Sequence, residues 1–122
     1  MMQHIRVLIA DDCLSSRNGL EALLVTQPGI EIVGEAADGQ EAIQFVEQCR
    51  PDVVLIDVRM PMIDGLAATR MIKARWPEVK VIVLTMYPSH QAEAFAAGAD
   101  AFLVKGCASE VLLQAILKGE TP

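Results

Sequence analysis

The sequence predicts an α/β domain, a (βα)5 doubly wound parallel five-stranded sheet in the flavodoxin-like order 2-1-3-4-5. Three observations lead there. Short apolar runs alternate five times with stretches of helical period. The runs Val7-Leu8-Ile9, Val53-Val54-Leu55-Ile56 and Val81-Ile82-Val83-Leu84 carry no alternating polar residue, as strands buried on both faces do. The run from Ile30 to Glu35 interleaves acids with apolar residues and so belongs at an edge. Short alternating units imply right-handed crossovers, hence a parallel sheet covered on both sides.

The elements follow in order. Ile5 to Ala10 is the first strand and runs into Asp11-Asp12. A helix follows, with Leu20, Leu23 and Leu24 on one face, and Pro28-Gly29 breaks it. After the edge strand, Asp38-Gly39-Gln40-Glu41 starts a helix that places Ala42, Phe45, Val46 and Cys49 on one stripe. The central strand, Val53 to Ile56, ends at Asp57, and Pro61 forbids its continuation. A third helix spans about Gly65 to Arg75, with Trp76 packing at its end. Val79 to Leu84 is the fourth strand, ending at Thr85. Pro88 to Ala97 is alanine-rich with weak periodicity, a marginal helix. Ala101 to Val104 is a short fifth strand ending at Lys105. The last helix carries Val111, Leu112, Ala115 and Ile116 on one face.

The composition bounds the function. Hydrophobic residues make up 52% of 122 residues and aromatics 4%, which means one aliphatic, alanine-rich core. No apolar run approaches the ~20 residues of a membrane span, and the first residues lack a secretory signal's apolar segment. Cys13, Cys49 and Cys107 are an odd number without metal-type spacing, which fits a reducing cytoplasm. A net charge of −6 argues against these residues gripping nucleic acid and suits a metal cation or a basic partner. His4 and His90 read as surface residues, and Met60 and Met62 as loop packing.

The strand ends carry the chemistry. The first strand delivers Asp11 and Asp12, the third Asp57, the fourth Thr85 and the fifth Lys105. In the order 2-1-3-4-5 these strands are neighbours, so the five side chains can converge. Two carboxylates ~4 Å apart repel by roughly 4 kcal/mol at an effective dielectric near 20. A hard divalent cation offsets this, and an open edge with few protein ligands suits Mg2+ that keeps several waters. Asp57 can then act as a nucleophile toward a phosphoryl group, with Lys105 and Thr85 meeting its oxygens.

From Val7 to about Lys118 the sequence resembles the phosphoacceptor receiver domain of two-component response regulators. The motifs that carry the likeness are Asp11-Asp12, Asp57-Val58-Arg59-Met60-Pro61, Asp64-Gly65, Thr85, and Lys105 with Phe102 three residues before it. The wording from Asp57 to Arg70 and Val81-Ile82-Val83-Leu84-Thr85 is similar to the NarL/LuxR-type subgroup, which couples a receiver to a helix-turn-helix DNA-binding tail. The resemblance implies phosphorylation at Asp57. It implies a Mg2+ site with Asp12 as a direct ligand, Asp11 mainly through water, and Asp57 and the backbone carbonyl of Arg59 completing the set. It implies a switch pair of Thr85 and Phe102, and contact of Lys105 with the phosphoryl group. The implied partners are a sensor histidine kinase, a second copy of the chain on phosphorylation, and DNA only through a domain beyond Pro122; no membrane is involved.

Two departures from the family are visible. Gly106 stands where many receivers have proline, so the Lys105–Gly106 peptide is expected to be trans. Cys107-Ala108-Ser109-Glu110 replaces the subgroup's Ser-Pro helix start. The rival readings are a stand-alone receiver acting by protein contact and a haloacid-dehalogenase-like phosphatase. The second is opposed by adjacent acids after the first strand, followed by Cys13, and by a chain without room for a substrate cap. No phosphate-binding glycine loop follows the first strand, which sets aside a nucleotide-binding module.

Overall fold

A computed structural model describes residues 4–117. Five parallel strands form one sheet in the order β2-β1-β3-β4-β5. They are β1 (Ile5–Ala10), β2 (Ile30–Ala36), β3 (Val53–Ile56), β4 (Lys80–Thr85) and β5 (Ala101–Val104). The helices are α1 (Leu14–Leu24), α2 (Gly39–Cys49), α3 (Gly65–Arg75), α4 (Gln91–Ala96) and α5 (Ser109–Leu117). All four crossovers and the edge position of β2 agree with the sequence reading.

The sheet divides the core into two layers by side-chain parity. Leu8, Ala10, Val54, Ile56, Val81 and Val83 meet α2, α3 and α4 through Ala42, Val46, Ala68, Ile72 and Ala94. Val7, Ile9, Val53, Leu55 and Ile82 meet α1 and α5 through Leu24, Leu112 and Ile116. All four residues of β3 are buried, as a continuous apolar run requires. Each fully buried aliphatic side chain contributes on the order of 1.5–3 kcal/mol, so this core sets the strand ends firmly.

Three local signals hold as physical chemistry predicts. The Asp38 carboxylate accepts from the Glu41 amide at 2.8 Å and caps α2, while the Glu41 carboxylate accepts from the Ala37 amide at 2.8 Å. The Asp64 carboxylate caps α3 from the Ala67 amide at 2.8 Å. Trp76 is buried at the end of α3, with the Arg50 and Arg75 guanidinium carbons 5.2 and 4.9 Å from its ring centre.

Four readings need correction. The alternation in β2 breaks at Val33, which has no partner: Val7 pairs with Ile32 and Leu8 with Gly34, a β-bulge. The stretch read as one helix from Pro88 is a 3-10 turn at Pro88–His90 followed by the six-residue α4, because small alanines give it little surface to bury. Val111 is 45% exposed, since Leu112 and Ile116, four apart, define the line α5 lays on the sheet. Met62 lies outside the core: it is 74% exposed in a left-handed turn with φ 71°, whereas Met60 is in the core. His4 is exposed, and His90 is half-buried and meets Glu93 at 3.1 Å. All peptide bonds among the described residues are trans, and Gly106 takes φ 92°, the left-handed region open to glycine. No helix among the described residues is long and apolar enough to cross a membrane.

Candidate functional site

The carboxyl ends of β1 and β3 lie side by side, because the Asp57 amide donates to the Ala10 carbonyl at 3.0 Å. This sets Asp57 next to Asp11 and Asp12, and ligand oxygens of the three carboxylates fall within 4.8 Å of one another. Asp11 is 2% exposed, Asp57 half-buried and Asp12 exposed. The Lys105 ammonium reaches in from the end of β5 and donates to Asp11 Oδ2 and Asp57 Oδ2, at 2.7 Å each. Its own amide donates to the Thr85 carbonyl at 2.7 Å, so β4 fixes where this lysine leaves the sheet.

The remaining oxygens are also assigned. The Cys13 amide donates to Asp11 Oδ1 at 2.9 Å, and the Ser16 hydroxyl to Asp11 Oδ2 at 2.7 Å. The Val58 amide donates to Asp57 Oδ1 at 2.7 Å. The Asp12 carboxylate takes no hydrogen bond from any described residue. Burial works against the Asp11 charge, but the bonds from Lys105, Cys13 and Ser16 outweigh it and hold its carboxyl below the ordinary value. Burial likewise works against the Lys105 charge, and Asp11 and Asp57 outweigh it, so its ammonium titrates above the ordinary lysine range. Three negative charges stand against one positive, which leaves the edge acidic. Hard oxygen donors, one of them free, fit a divalent cation such as Mg2+.

Thr85 arrives at the same edge, fully buried, but its hydroxyl does not bond Asp57; it accepts from the Tyr87 amide at 3.4 Å. Phe102 lies one step back, opposite Val83 on β4, half-buried against the layer that holds α2, α3 and α4. Arg59 is exposed and lines an open cleft together with Asp12 and Asp64. Its guanidinium carbon lies 4.1 Å from the centre of the Tyr87 ring and bridges the loops after β3 and β4. Thus Asp11, Asp12, Asp57 and Lys105 meet directly, while Thr85, Phe102 and Arg59 frame them.

Sequence reasoning left several supporting contacts unread. The motif Asp64-Gly65 does not by itself say why a glycine is needed: a Cβ at Gly65 would lie 1.8 Å from the Asp57 carbonyl oxygen, so only glycine lets α3 start against the acid. The Gly65 amide donates to the Val58 carbonyl at 2.7 Å and fixes that approach. Ser16 and Arg17 were missed; Arg17 donates to the Asp11 carbonyl and pairs with Glu35 at 3.1 Å. The signal for both was present in the helix turn just after Asp11-Asp12, which faces back onto the strand end it leaves.

The sequence pattern of the response regulator receiver domain matches residues 7–117, and the chain belongs to that family. It is 35% identical over 114 residues to the transcriptional regulatory protein DegU of Brevibacillus brevis, covering 92% of this chain and 48% of that protein. It is 46% identical over 90 residues to a protein-glutamate methylesterase/protein-glutamine glutaminase of Pyrococcus abyssi, covering 74% of this chain and 24% of that protein. The signal receiver domain of the putative response regulator NarL from Mycobacterium tuberculosis superposes with a TM-score of 0.90 at 29% identity, covering 95% of each chain. The chain therefore spans about half the length of DegU, or less of its longer relatives. A receiver of this family serves as a phosphorylation switch in two-component regulators, and transcriptional regulators are among the relatives of this one.

Proposed function

We propose that Asp57 is the phosphoacceptor of this receiver and takes a phosphoryl group from a sensor histidine kinase. The observation that supports this best is the Lys105 ammonium shared at 2.7 Å between Asp11 and Asp57, beside an Asp12 that no described residue pairs with. An Asp57 oxygen attacks phosphorus, a P–O bond forms, and the bond to the donor's leaving group breaks. The product is an aspartyl phosphate, and the electron pair departs with the leaving group. Lys105 exchanges its carboxylate contact for a phosphoryl oxygen, and the Thr85 hydroxyl turns from Tyr87 to donate to another. Asp12, Asp57, the Arg59 carbonyl and, through water, Asp11 would hold Mg2+. When bound, that ion offsets the charge of the acids and of the transferred oxygens. The chain accepts the group and assists its own loading and hydrolysis; it is not an enzyme acting on a separate substrate.

The output follows from the same residues. A phosphoryl group adds about −1.5 to −2 charge at the end of β3. Movement of Thr85 leaves space beside β4 that Phe102, half-buried opposite Val83, can fill. The face of α4, β5 and α5 then changes; α4, six residues long with no side-chain cap, is its shorter helix. The half-length match to DegU supports control of transcription through a DNA-binding domain beyond Pro122, with pairing of two copies as a further step. Cytoplasmic location accords with this role.

The test is incubation with Mg2+ and acetyl phosphate. A single hydroxylamine-labile phosphoryl group on Asp57, absent in Asp57→Ala, is the expected result. Labelling on serine or threonine, or unchanged labelling of the variant, would refute the assignment. Amide exchange with beryllofluoride and Mg2+, a stand-in for the phosphoryl group, should change around residues 88–104. Change confined to α1 and α2 would refute the output face.

A further inference from the structure

We propose that Ser16 is a positioning residue of the metal site, one that keeps Asp11 in place when Lys105 leaves it. This rests on the phosphoacceptor reading above and extends it to a side chain outside the acids, the threonine and the lysine. Asp11 is buried and charged, so each of its oxygens needs a donor. Oδ1 has the Cys13 amide, which is fixed by the backbone. Oδ2 has two donors, Lys105 at 2.7 Å and Ser16 at 2.7 Å. Among the described residues no third side chain donates to this carboxylate.

The two donors on Oδ2 behave differently once a cation and a phosphoryl group arrive. Lys105 is a cation on a flexible stem; a divalent ion repels it and a phosphoryl oxygen attracts it. Ser16 is neutral, and the first turn of α1 holds it in place. It neither competes with a metal for charge nor follows the phosphoryl group. Next to it, Arg17 donates to the Asp11 backbone carbonyl and ties it to Glu35. Consecutive residues of α1 therefore grip Asp11 twice, at the carboxylate and at the main chain. Of these two grips, that by Ser16 acts on the carboxylate and, with the Cys13 amide on the other oxygen, sets the direction in which it points. Groups that orient a metal-binding carboxylate from behind typically change metal affinity or activity by 10–100-fold when lost.

The experiment is a calorimetric Mg2+ titration of the wild-type chain and of Ser16→Ala, with Ser16→Thr and Ser16→Val as a matched pair of similar shape. Thermal melts without metal accompany it. Ser16→Ala and Ser16→Val should melt cooperatively and bind Mg2+ roughly tenfold more weakly. Ser16→Thr, which keeps the hydroxyl, should recover most of the affinity. Wild-type affinity in Ser16→Val, or equal weakness in Ser16→Thr and Ser16→Val, would overturn the proposal. If wild type binds Mg2+ and labels Asp57 while Ser16→Ala matches it in both, the role of Ser16 falls and the phosphoacceptor reading stands. If wild type binds no Mg2+, that reading falls and takes this proposal with it.

Discussion

Two lysines, at opposite edges of the sheet, show what separates a structural staple from a reactive site. Lys73 and Lys105 have equally shielded side chains, 17% exposed in each case. Lys73, in the last turn of α3, donates to the Pro77 and Val79 carbonyls and to Asp100 Oδ2, at 2.8–2.9 Å. Asp100 Oδ2 also accepts from the Val81 amide at 2.8 Å, which closes the network. One positive charge meets one negative charge, and the other acceptors are neutral. Lys105 instead faces Asp11 and Asp57 with Asp12 close by, so its edge keeps a negative surplus. Each edge also sets a glycine against its cluster. Gly65 adjoins the Asp57 carbonyl, and Gly98, at φ 102°, lies against Lys73, with a Cβ there 3.2 Å from the lysine stem. The geometry of the two clusters is alike, and the charge balance differs. A balanced cluster fastens the fold, whereas the unbalanced one leaves a demand that a cation or a transferred group can meet.

The comparison breaks first at Lys73. Lys73→Ala leaves Asp100 without its counter-charge and two carbonyls without a donor. It should cost about 2 kcal/mol in urea unfolding, the scale for losing hydrogen bonds from a charged group, because Asp100 is exposed to solvent that screens its charge. Mg2+ affinity of the variant should not change; a fall would mean that the two edges are coupled.

Asp12→Ala probes the other edge. At a Mg2+ concentration ten times its dissociation constant, wild type should gain about 1.4 kcal/mol. The variant should gain nothing and should melt, without metal, at or above the wild-type temperature, since one repelling charge is gone. Retention of the full metal-induced gain would exclude Asp12 as a ligand.

The smallest effect lies in the pH profile. The Asp11 carboxyl titrates below its ordinary 3.8, so its contribution is present above that pH and is lost as pH falls through the lower, folded value. The Lys105 ammonium titrates above its ordinary 10.5, so its contribution is present below that pH and is lost as pH rises through the higher, folded value. Urea midpoints of the metal-free protein should fall at both extremes. Lys105→Met should remove the alkaline fall and reduce the acid one. An unchanged alkaline limb would show that another group governs it.

The fold was legible because each buried strand is an uninterrupted apolar run whose end is marked by a polar residue. Asp11, Asp57, Thr85 and Lys105 could be placed at one edge from strand order alone. Detail set by contacts was not legible. The bulge at Val33 arises where Ile32-Val33 interrupts the alternation, and only pairing with β1 shows which residue is extra. Val111 and Leu112 are equally apolar, and only the lie of α5 decides which is buried. Ser16 reads as one hydroxyl among several in a polar helix turn; its bond to Asp11 depends on how closely that turn returns to β1. The stacking of Arg59 on Tyr87 joins two loops, and no periodicity encodes it.

The chain has one tryptophan and one tyrosine, and the fold places them at opposite edges of the sheet. Trp76 is buried between Arg50 and Arg75, at the edge where the strands begin. Tyr87 is 41% exposed beneath the Arg59 guanidinium, two residues past Thr85. Excited selectively, the indole emission should report whether the polypeptide is folded, since Trp76 lies in the core between two arginines and away from the acids. The phenol, quenched or released as Arg59 shifts, reports the loops above them. Intrinsic fluorescence thus gives two separate channels without any label: a titration that changes the tyrosine signal and leaves the tryptophan signal flat is a local event at the acidic edge, and one that changes both is unfolding.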